Sequence, residues 1–251
     1  MKLSIVVPVH NEGRYIEQLV LTFLSELNDH LSARIKEILL IENGSTDGSW
    51  EACQALEASR PELIRSHQIE RGSYGEAIRQ GMQRGSGTHS CILECDVLSV
   101  DFVGRCCQLI EEESTRFVVA SKRHPESKDE RSFKRRLLST LYHKILSLRT
   151  GYPGTDTHGL KCIDTDLARV LCEVAQTTDE LFQTEIVLLA WRFGIRVEEV
   201  PLEVREIRPT PVSIRRRLPL VIGSIRELKK SLQRFPPDDT ESFPAIPMPE
   251  A

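Results

Sequence analysis

Seven cysteines occur in the 251 residues, an odd number with no CxxC pair among them. That disfavours a disulfide framework or a zinc site. Thiols lying mostly in apolar runs read instead as reduced and buried, in a cytoplasmic protein. No stretch approaches 18 apolar residues, so no transmembrane helix is expected. The apolar start, Leu3 to Val7, is soon ended by Pro8 and charged residues, and does not read as a signal peptide. An excess of positive charge is also missing. The formal net charge of −4 argues against a general nucleic-acid binder. There is no internal repeat. What remains is ordinary for a globular chain, with 40% hydrophobic and 28% charged residues, and the length suffices for a sizeable core.

The apolar residues alternate between two periods. Leu3–Val7 and Ile35–Ile41 are short apolar runs that read as buried parallel strands; Leu63–Gln68, His89–Leu93 and Phe117–Ala120 continue the series. Between them, helical spacing predicts helices over Arg14–Leu27, Ser49–Ser59, Gly75–Arg84 and Phe102–Glu112. Strands alternating with helices imply βαβ units and a mostly parallel, Rossmann-like α/β sheet in one domain. Further on, the pattern predicts a basic helix over Phe133–Leu148, a loop and short strand over Thr155–Ile163, and helices over Leu167–Ala175 and Thr184–Phe193. A last strand over Arg196–Val204 and a basic amphipathic helix within 216–235 follow. From Pro236 onward Pro, Asp and Glu dominate, and residues 236–251 are expected to be disordered.

In parallel α/β sheets ligands sit beyond the carboxyl ends of the strands. Glu42-Asn43, Arg71-Gly72 and Glu94-Cys95-Asp96 all fall at such ends. Glu94 and Asp96 matter most. Side chains at i and i+2 of an extended segment point the same way. Two carboxylates there would repel unless they shared a cation, and a divalent metal would remove that repulsion. The bland alternative is that the pair only caps a strand end.

The order of three segments carries a resemblance. Pro8-Val9-His10-Asn11-Glu12 ends the first strand, Glu42-Asn43-Gly44-Ser45-Thr46-Asp47-Gly48 ends the second, and Glu94-Cys95-Asp96 follows. Together they resemble the PxxNE, acidic-pair and DxD motifs of family 2 glycosyltransferases, which have the GT-A fold. Arg71 to Gly81 is similar to the family's glycine-rich turn and helix. Asp156-Thr157-His158-Gly159-Leu160-Lys161 is similar to its D-x-x-G-[FL]-[KR] loop. Phe182 to Glu185, Gly194 and Val197 to Pro201 look like dolichyl-phosphate mannose synthases and related polyprenyl-phosphate enzymes. The resemblance covers about residues 3 to 215, so residues 1–215 are expected to form the GT-A domain.

It implies an inverting transfer from a nucleoside-diphosphate sugar, a GDP- or UDP-sugar, held with Mg2+ or Mn2+. Asp96 would be the firmer metal ligand. Glu94 departs from DxD by one methylene. Pro8, Asn11, Glu12, Glu42, Asn43, Arg71 and Gly72 would line the donor side, with Asn43 where relatives carry an acid. Asn11 as a helix start, Gly72 as a simple turn and Arg71 as a solvated residue stay open; Asp47 reads more readily as a helix cap. The N-terminus lacks the GxGxR loop of a sugar nucleotidyltransferase.

On the acceptor side, a hydroxyl would need a general base, for which Asp156 is the candidate. A polyprenyl phosphate would need cations instead, and Lys122, Arg123, Arg131, Arg205 and Arg208 are in place by resemblance. Arg208 and Asp156 are the catalytic candidates, and Gln183 and Glu185 would shape the acceptor pocket. His158 reads as a loop residue. The basic segments Phe133–Leu148 and Leu218–Leu232 admit two readings: packing on the domain, or contact with a membrane surface at its cytoplasmic face or with a membrane-protein partner. A glycan or small-molecule hydroxyl acceptor, and a nucleotide-binding partner protein without turnover, are the rival functions.

Overall fold

A computed structural model describes residues 1–70, 72–204 and 214–247, with the backbone alone along 214–222 and at 242. The elements follow in chain order. β1 (Leu3–Val9) leads to α1 (Ile16–Glu26) and the single-turn α2 (Asp29–Ser32). β2 (Ile35–Asn43), α3 (Ser49–Ser59), β3 (Ile64–Ile69), α4 (Tyr74–Arg84) and β4 (His89–Ile92) repeat the βα alternation. α5 (Val100–Glu113), β5 (Phe117–Ser121), β6 (Lys128–Asp129) and α6 (Phe133–Thr150) come next. β7 (Lys161–Asp164), α7 (Thr165–Val174), α8 (Phe182–Arg192), β8 (Glu198–Pro201), β9 (Glu203–Val204) and α9 (Ile214–Gln233) complete the series. Local chemistry fixes several starts. Asn28, Ser99 and Asp164 each accept a hydrogen bond from the backbone N–H three residues on, opening α2, α5 and α7.

All seven positions of β1 are buried, as expected of a central strand covered on both faces. The main sheet runs β3-β2-β1-β4-β7-β5-β8. Its pairings are parallel except those of β7, which is antiparallel to both β4 and β5. This reversal positions the site. Lys161, the first residue of β7, pairs with Ile92, the last of β4. The loop before β7 therefore lies at the same edge as the carboxyl ends of β1, β2 and β4.

One core layer, under α4, α7, α8 and α9, gathers Val6, Leu39, Ile92, Ile163, Ile186 and Leu228. The other, under α1, α3 and α5, gathers Ile5, Leu40, Cys91, Phe102, Val118 and Cys162. Cys91 and Ile92 are adjacent yet belong to opposite layers, the alternation a buried strand requires. All seven cysteines are free and buried. Among the described residues no helix is long and apolar enough to cross a membrane.

Two expectations are corrected. The strand expected over Arg196–Val204 is two strands: β8 pairs with β5, whereas β9 pairs with β6 in a separate ribbon. Pro201 has no N–H to carry the ladder on, and the next N–H, of Leu202, donates to Ser127 Oγ at 3.0 Å. The disorder expected from Pro236 is not what the structure describes through residue 247. A 3-10 turn forms at Thr240–Ser242, and Phe243 and Ile246 pack on the core. The Phe193 ring lies 5.0 Å from that of Phe235 and 5.2 Å from that of Phe243. Composition counted the prolines and acids but not these apolar anchors. The basic helix expected within 216–235 is α9, longer at its start.

Arg79 on α4 ties the two ends of this layer. Its guanidinium donates to the carbonyls of Cys172, Ala175 (3.2 Å) and Thr177 (2.8 Å), and its cation lies 4.5 Å from the Phe182 ring centroid. A cation on the last carbonyls of a helix satisfies groups that would otherwise lack partners. Arg79→Leu should destabilise the protein by about 3 kcal/mol, read as a fall in Tm of roughly 6–12 °C by thermal unfolding.

Candidate active site

A cleft of 510 Å³ opens at the carboxyl edge of the sheet, with Pro8, Glu12 and Asn43 on one side and Glu94, Asp96 and Lys122 on the other. It adjoins a larger cavity of 830 Å³, which shares Glu94 and Lys122 and adds Asp156, Arg131 and Tyr142. The two spaces meet at Glu94 and Lys122, with Asp96 on the cleft side. Val97 N–H donates to the Glu94 carbonyl at 2.8 Å, a tight turn after β4 that presents both carboxylates to the cleft. Asp96 is exposed and Glu94 is recessed. Burial pushes the Glu94 carboxyl above its usual range, as does Asp96, while Lys122 and Lys161 pull it back.

These residues suit a hard divalent cation. Among the described residues no group of three or more His, Cys, Asp or Glu side chains could hold a metal. A cation here would draw its other ligands from water and a diphosphate, the usual pattern for Mg2+ with one or two carboxylates.

The Pro8–Asn43 side of the cleft is held by loop-to-loop bonds. His10 Nδ1 is 2.8 Å from the Asn43 carbonyl and its Nε2 is 2.9 Å from Asn11 Nδ2. A carbonyl only accepts and an amide NH2 only donates, so the proton sits on Nδ1. Asn11, at φ 55°, also accepts from Thr46 N–H at 3.0 Å. Its carboxamide is thus engaged by the loop and does not line the cleft. Glu42 is wholly buried and accepts from Ser45 N–H at 2.5 Å, so it shapes the turn from behind. Burial raises its pKa, but the Ser45 bonds outweigh that and hold it below the usual value. Asp47 accepts from Gly13 N–H and from Ser49, a loop clasp and helix cap. Asn43 Oδ1 accepts from Ser73 N–H at 2.5 Å, and a Cβ at Gly72 would stand 2.8 Å from the Asn43 carbonyl oxygen. Only glycine permits that approach.

On the far side, Asp156 is buried and fully engaged. Its oxygens accept from the backbone N–H of Lys122 (3.1 Å), Thr157 (2.8 Å) and His158 (2.9 Å). Burial raises its pKa, yet the Lys122 charge and these bonds hold it below the ordinary carboxylate range. Gln183 lines the cleft. Glu185 does not: its carboxylate accepts from Gln176 and Thr177 N–H and from Ser231 Oγ, pinning the α7–α8 loop and α9. Arg123 donates to the carbonyls of Ser139 and Thr155, bracing α6 against the loop, and lines a different cavity. Arg131 is paired with Asp129 at 2.7 Å on the wall of the larger cavity. Arg71, Arg205 and Arg208 lie outside the described residues.

Sequence reasoning did not single out Tyr74, His10, Glu180 or Lys161 as site residues, and placed His158 in a loop; all but Lys161 line the cleft. Lys161 was the easiest to find. A lysine inside the apolar run Leu160–Ile163 is a charge in a buried strand, which is rare without a partner. It is wholly buried, and burial pushes its pKa down to about 7.

A mostly parallel sheet with an acidic pair at the carboxyl end of a central strand, facing a nucleotide-sized cleft, defines a GT-A-type transferase. The glycosyl transferase family 2 model matches residues 4–163. The chain belongs to glycosyl transferase family 2. It is 26% identical over 248 residues to a dolichyl-phosphate beta-glucosyltransferase of Saccharomyces cerevisiae, covering 90% of this chain and 72% of the relative. It is 23% identical over 226 residues to the glycosyltransferase AglD of Haloferax volcanii, covering 89% of this chain. It is also 26% identical over 120 residues to the glycosyltransferase GlyG of Streptococcus pneumoniae, covering 47% of this chain. The chain spans only 36% and 38% of the lengths of those last two. Among solved structures, glucosyl-3-phosphoglycerate synthase from Mycobacterium tuberculosis with Mn2+, UDP-glucose and phosphoglyceric acid superposes with a TM-score of 0.65 at 18% identity, over 91% of this chain and 80% of that one. That likeness establishes the shared fold.

Behind the Asp156–Gly159 loop, His143 is buried, and burial and the Arg123 charge push its pKa down to about 4. The folded pKa lies below the unfolded 6.5, so the stability it contributes is complete above pH 6.5 and is lost as pH falls toward 4. His143→Leu should flatten the drop in stability between pH 6.5 and 4.5 by about 2 kcal/mol, read as a shallower slope of Tm against pH than in the parent.

Proposed function

We propose that this chain is an inverting glycosyltransferase that moves a sugar from a nucleoside-diphosphate sugar to a phosphate-bearing acceptor, best matched by a polyprenyl (dolichyl-type) phosphate. One observation carries the reading: Glu94 and Asp96 line a donor-sized cleft, and Glu94 also borders a larger cavity walled by Lys122 and Arg131. Asp96 would bind Mg2+ or Mn2+ directly, with Glu94 beside it. Such a cation neutralises a diphosphate and stabilises the departing nucleoside diphosphate. Pro8, Glu12 and Asn43 would take the nucleoside, whether of a GDP- or a UDP-sugar. Arg71 and Gly72 would lie toward the diphosphate.

In the reaction the bond from the anomeric carbon to the diphosphate oxygen breaks, and an acceptor oxygen bonds that carbon from the opposite face. A phosphate acceptor is already anionic and releases no proton. Asp156 supports that version, because three backbone donors and a lowered pKa make it a poor base. Lys122 and Arg131, with Arg205 and Arg208 by resemblance, would hold the acceptor phosphate, while Arg123 and Glu185 would act by bracing its surroundings. The similarity to a dolichyl-phosphate glucosyltransferase supports the same acceptor class. A hydroxyl acceptor would instead use Asp156 as base, and would turn over without lipid.

The proposal extends to a membrane surface. α6 walls the larger cavity through Leu138 and Tyr142, and exposes Phe133 (76%), Leu137 (49%) and Leu148 (84%) among Lys134, Arg136, Lys144 and Arg149. An apolar strip flanked by cations suits the anionic cytoplasmic leaflet. Leu137→Glu together with Leu148→Glu should lower binding to anionic vesicles at least about fivefold by sedimentation, since each loses apolar burial and adds repulsion; unchanged binding would remove the membrane surface from the reading.

The deciding assay follows release of nucleoside diphosphate from UDP- and GDP-sugars with Mg2+ or Mn2+, with and without polyprenyl phosphate. Asp96→Ala should lower turnover by at least about 10²-fold, the scale of losing electrostatic stabilisation of a leaving group. Nucleotide binding without release under every condition would instead mark a non-catalytic binding protein.

A further inference from the structure

Glu94 is one methylene longer than the aspartate of a DxD motif, and the structure contains a group that meets that extra reach. Tyr74, at the start of α4, places its Oη 3.4 Å from Glu94 Oε1. Gln183, in the first turn of α8, donates from Nε2 to the same Oη at 2.9 Å. Lys161 Nζ donates to Gln183 Oε1 and to the Gly159 carbonyl, the latter at 2.7 Å. These residues come from α4, α8 and β7, and register explains why they meet. Lys161 is paired with Ile92, so its side chain emerges on the face of Ile92. Glu94, two residues on, continues that face.

With Lys161 as the ammonium, the direction of every bond follows from chemistry. An ammonium only donates, so Lys161 holds the oxygen end of the Gln183 amide toward itself. The NH2 end must then point at Tyr74. The tyrosine oxygen accepts from it, which leaves its O–H to donate to the carboxylate, a group that only accepts. Gly159 is part of the arrangement: a Cβ there would stand 1.7 Å from the Ala120 carbonyl oxygen, so no larger residue lets the loop deliver its carbonyl to Lys161 at this position.

We propose that Lys161, Gln183 and Tyr74 form a one-way positioning relay that holds the long carboxylate of Glu94 in place for a divalent cation, making Glu-x-Asp a working metal pair. The relay rests on the metal-dependent reading above. None of the three residues touches the cation; they act through Glu94. An aspartate at 94 would fall short of Tyr74, so the relay is matched to glutamate at this position. Partners behind metal ligands commonly set affinity by one to two powers of ten. The 3.4 Å link is the longest in the relay, which places its effect at the lower end of that range.

The test measures Mn2+ affinity in the presence of UDP or GDP, by the loss of the free-Mn2+ electron paramagnetic resonance signal, for the full chain. The variants are Tyr74→Phe, Lys161→Met, Glu94→Asp, the pairs Tyr74→Phe/Lys161→Met and Tyr74→Phe/Glu94→Asp, and Asp96→Ala as control. Tyr74→Phe should weaken Mn2+ binding about tenfold, with Tm little changed. The same substitution in the Glu94→Asp background should change it less than about twofold, because the contact is already gone. Lys161→Met should match Tyr74→Phe, and the pair should be no worse than either alone. An equal Tyr74→Phe effect in both backgrounds, or none in the parent, overturns the relay even where Asp96→Ala abolishes binding. If the parent binds no Mn2+ with either nucleotide, the metal reading and the relay fall together. Should Lys161→Met not fold, the Tyr74 and Glu94 variants decide the matter alone.

Discussion

A lysine with no solvent exposure lies beneath a recessed glutamate, and much of the site depends on that pairing of charges. Burying one ammonium alone would cost several kcal/mol, and burying one carboxylate alone would cost as much. Each tempers the other here: Glu94 raises the pKa of Lys161, and Lys161 lowers that of Glu94. The arrangement requires β7 to run against its neighbours. Were β7 parallel, Lys161 would sit at the opposite edge of the sheet, and the Asp156–Gly159 loop would leave the cleft with it. The one reversed strand of the main sheet thus puts Lys161 under the acidic pair and the Asp156–Gly159 loop beside it.

The β1–β2 edge of the cleft obeys a different logic, that of satisfying backbone groups where strands stop. Glu42, Asn11, Asp47 and Asn43 each accept from a backbone N–H of a neighbouring turn. Their bonds hold the ends of β1 and β2 and the turn before α4 in one conformation. This leaves Pro8, Glu12 and His10, together with Asn43 itself, to face the cleft. A polar residue at a strand end can therefore shape the cleft without lining it, as Asn11, Glu42 and Asp47 do. Asp156 and Glu185 show the same division on the far side, the first holding its own loop, the second holding the α7–α8 connection.

Residues around the larger cavity separate into those that reach open space and those that build its walls. Lys122 and Arg131 border the larger cavity, whereas Arg123 is turned back onto carbonyls of α6 and the loop. Spacing alone does not distinguish these roles, because all three lie in one basic stretch. α6 serves both sides, with Leu138 and Tyr142 on the cavity and Phe133, Leu137 and Leu148 in the open.

The alternation of apolar periods was enough to place β1 to β5 and α1, α3, α4 and α5 near their observed bounds, since a buried parallel strand and an amphipathic helix each leave a repeat in the chain; the single-turn α2 left none. The motif order also announced the acidic pair and its setting at a strand end. Other features depended on partners distant in sequence. Nothing near Tyr74 shows that its hydroxyl meets Glu94, twenty residues away, or that Gln183 lies behind it. The break of the last strand at Leu202 came from a pairing with Lys128–Asp129, and the ordering of Phe243 came from Phe193. Sequence periodicity reports which face of an element is apolar, because that depends only on neighbours three or four residues away. Which polar groups share a buried bond is decided when the sheet brings distant segments together, and here that decision set the orientation of Glu94.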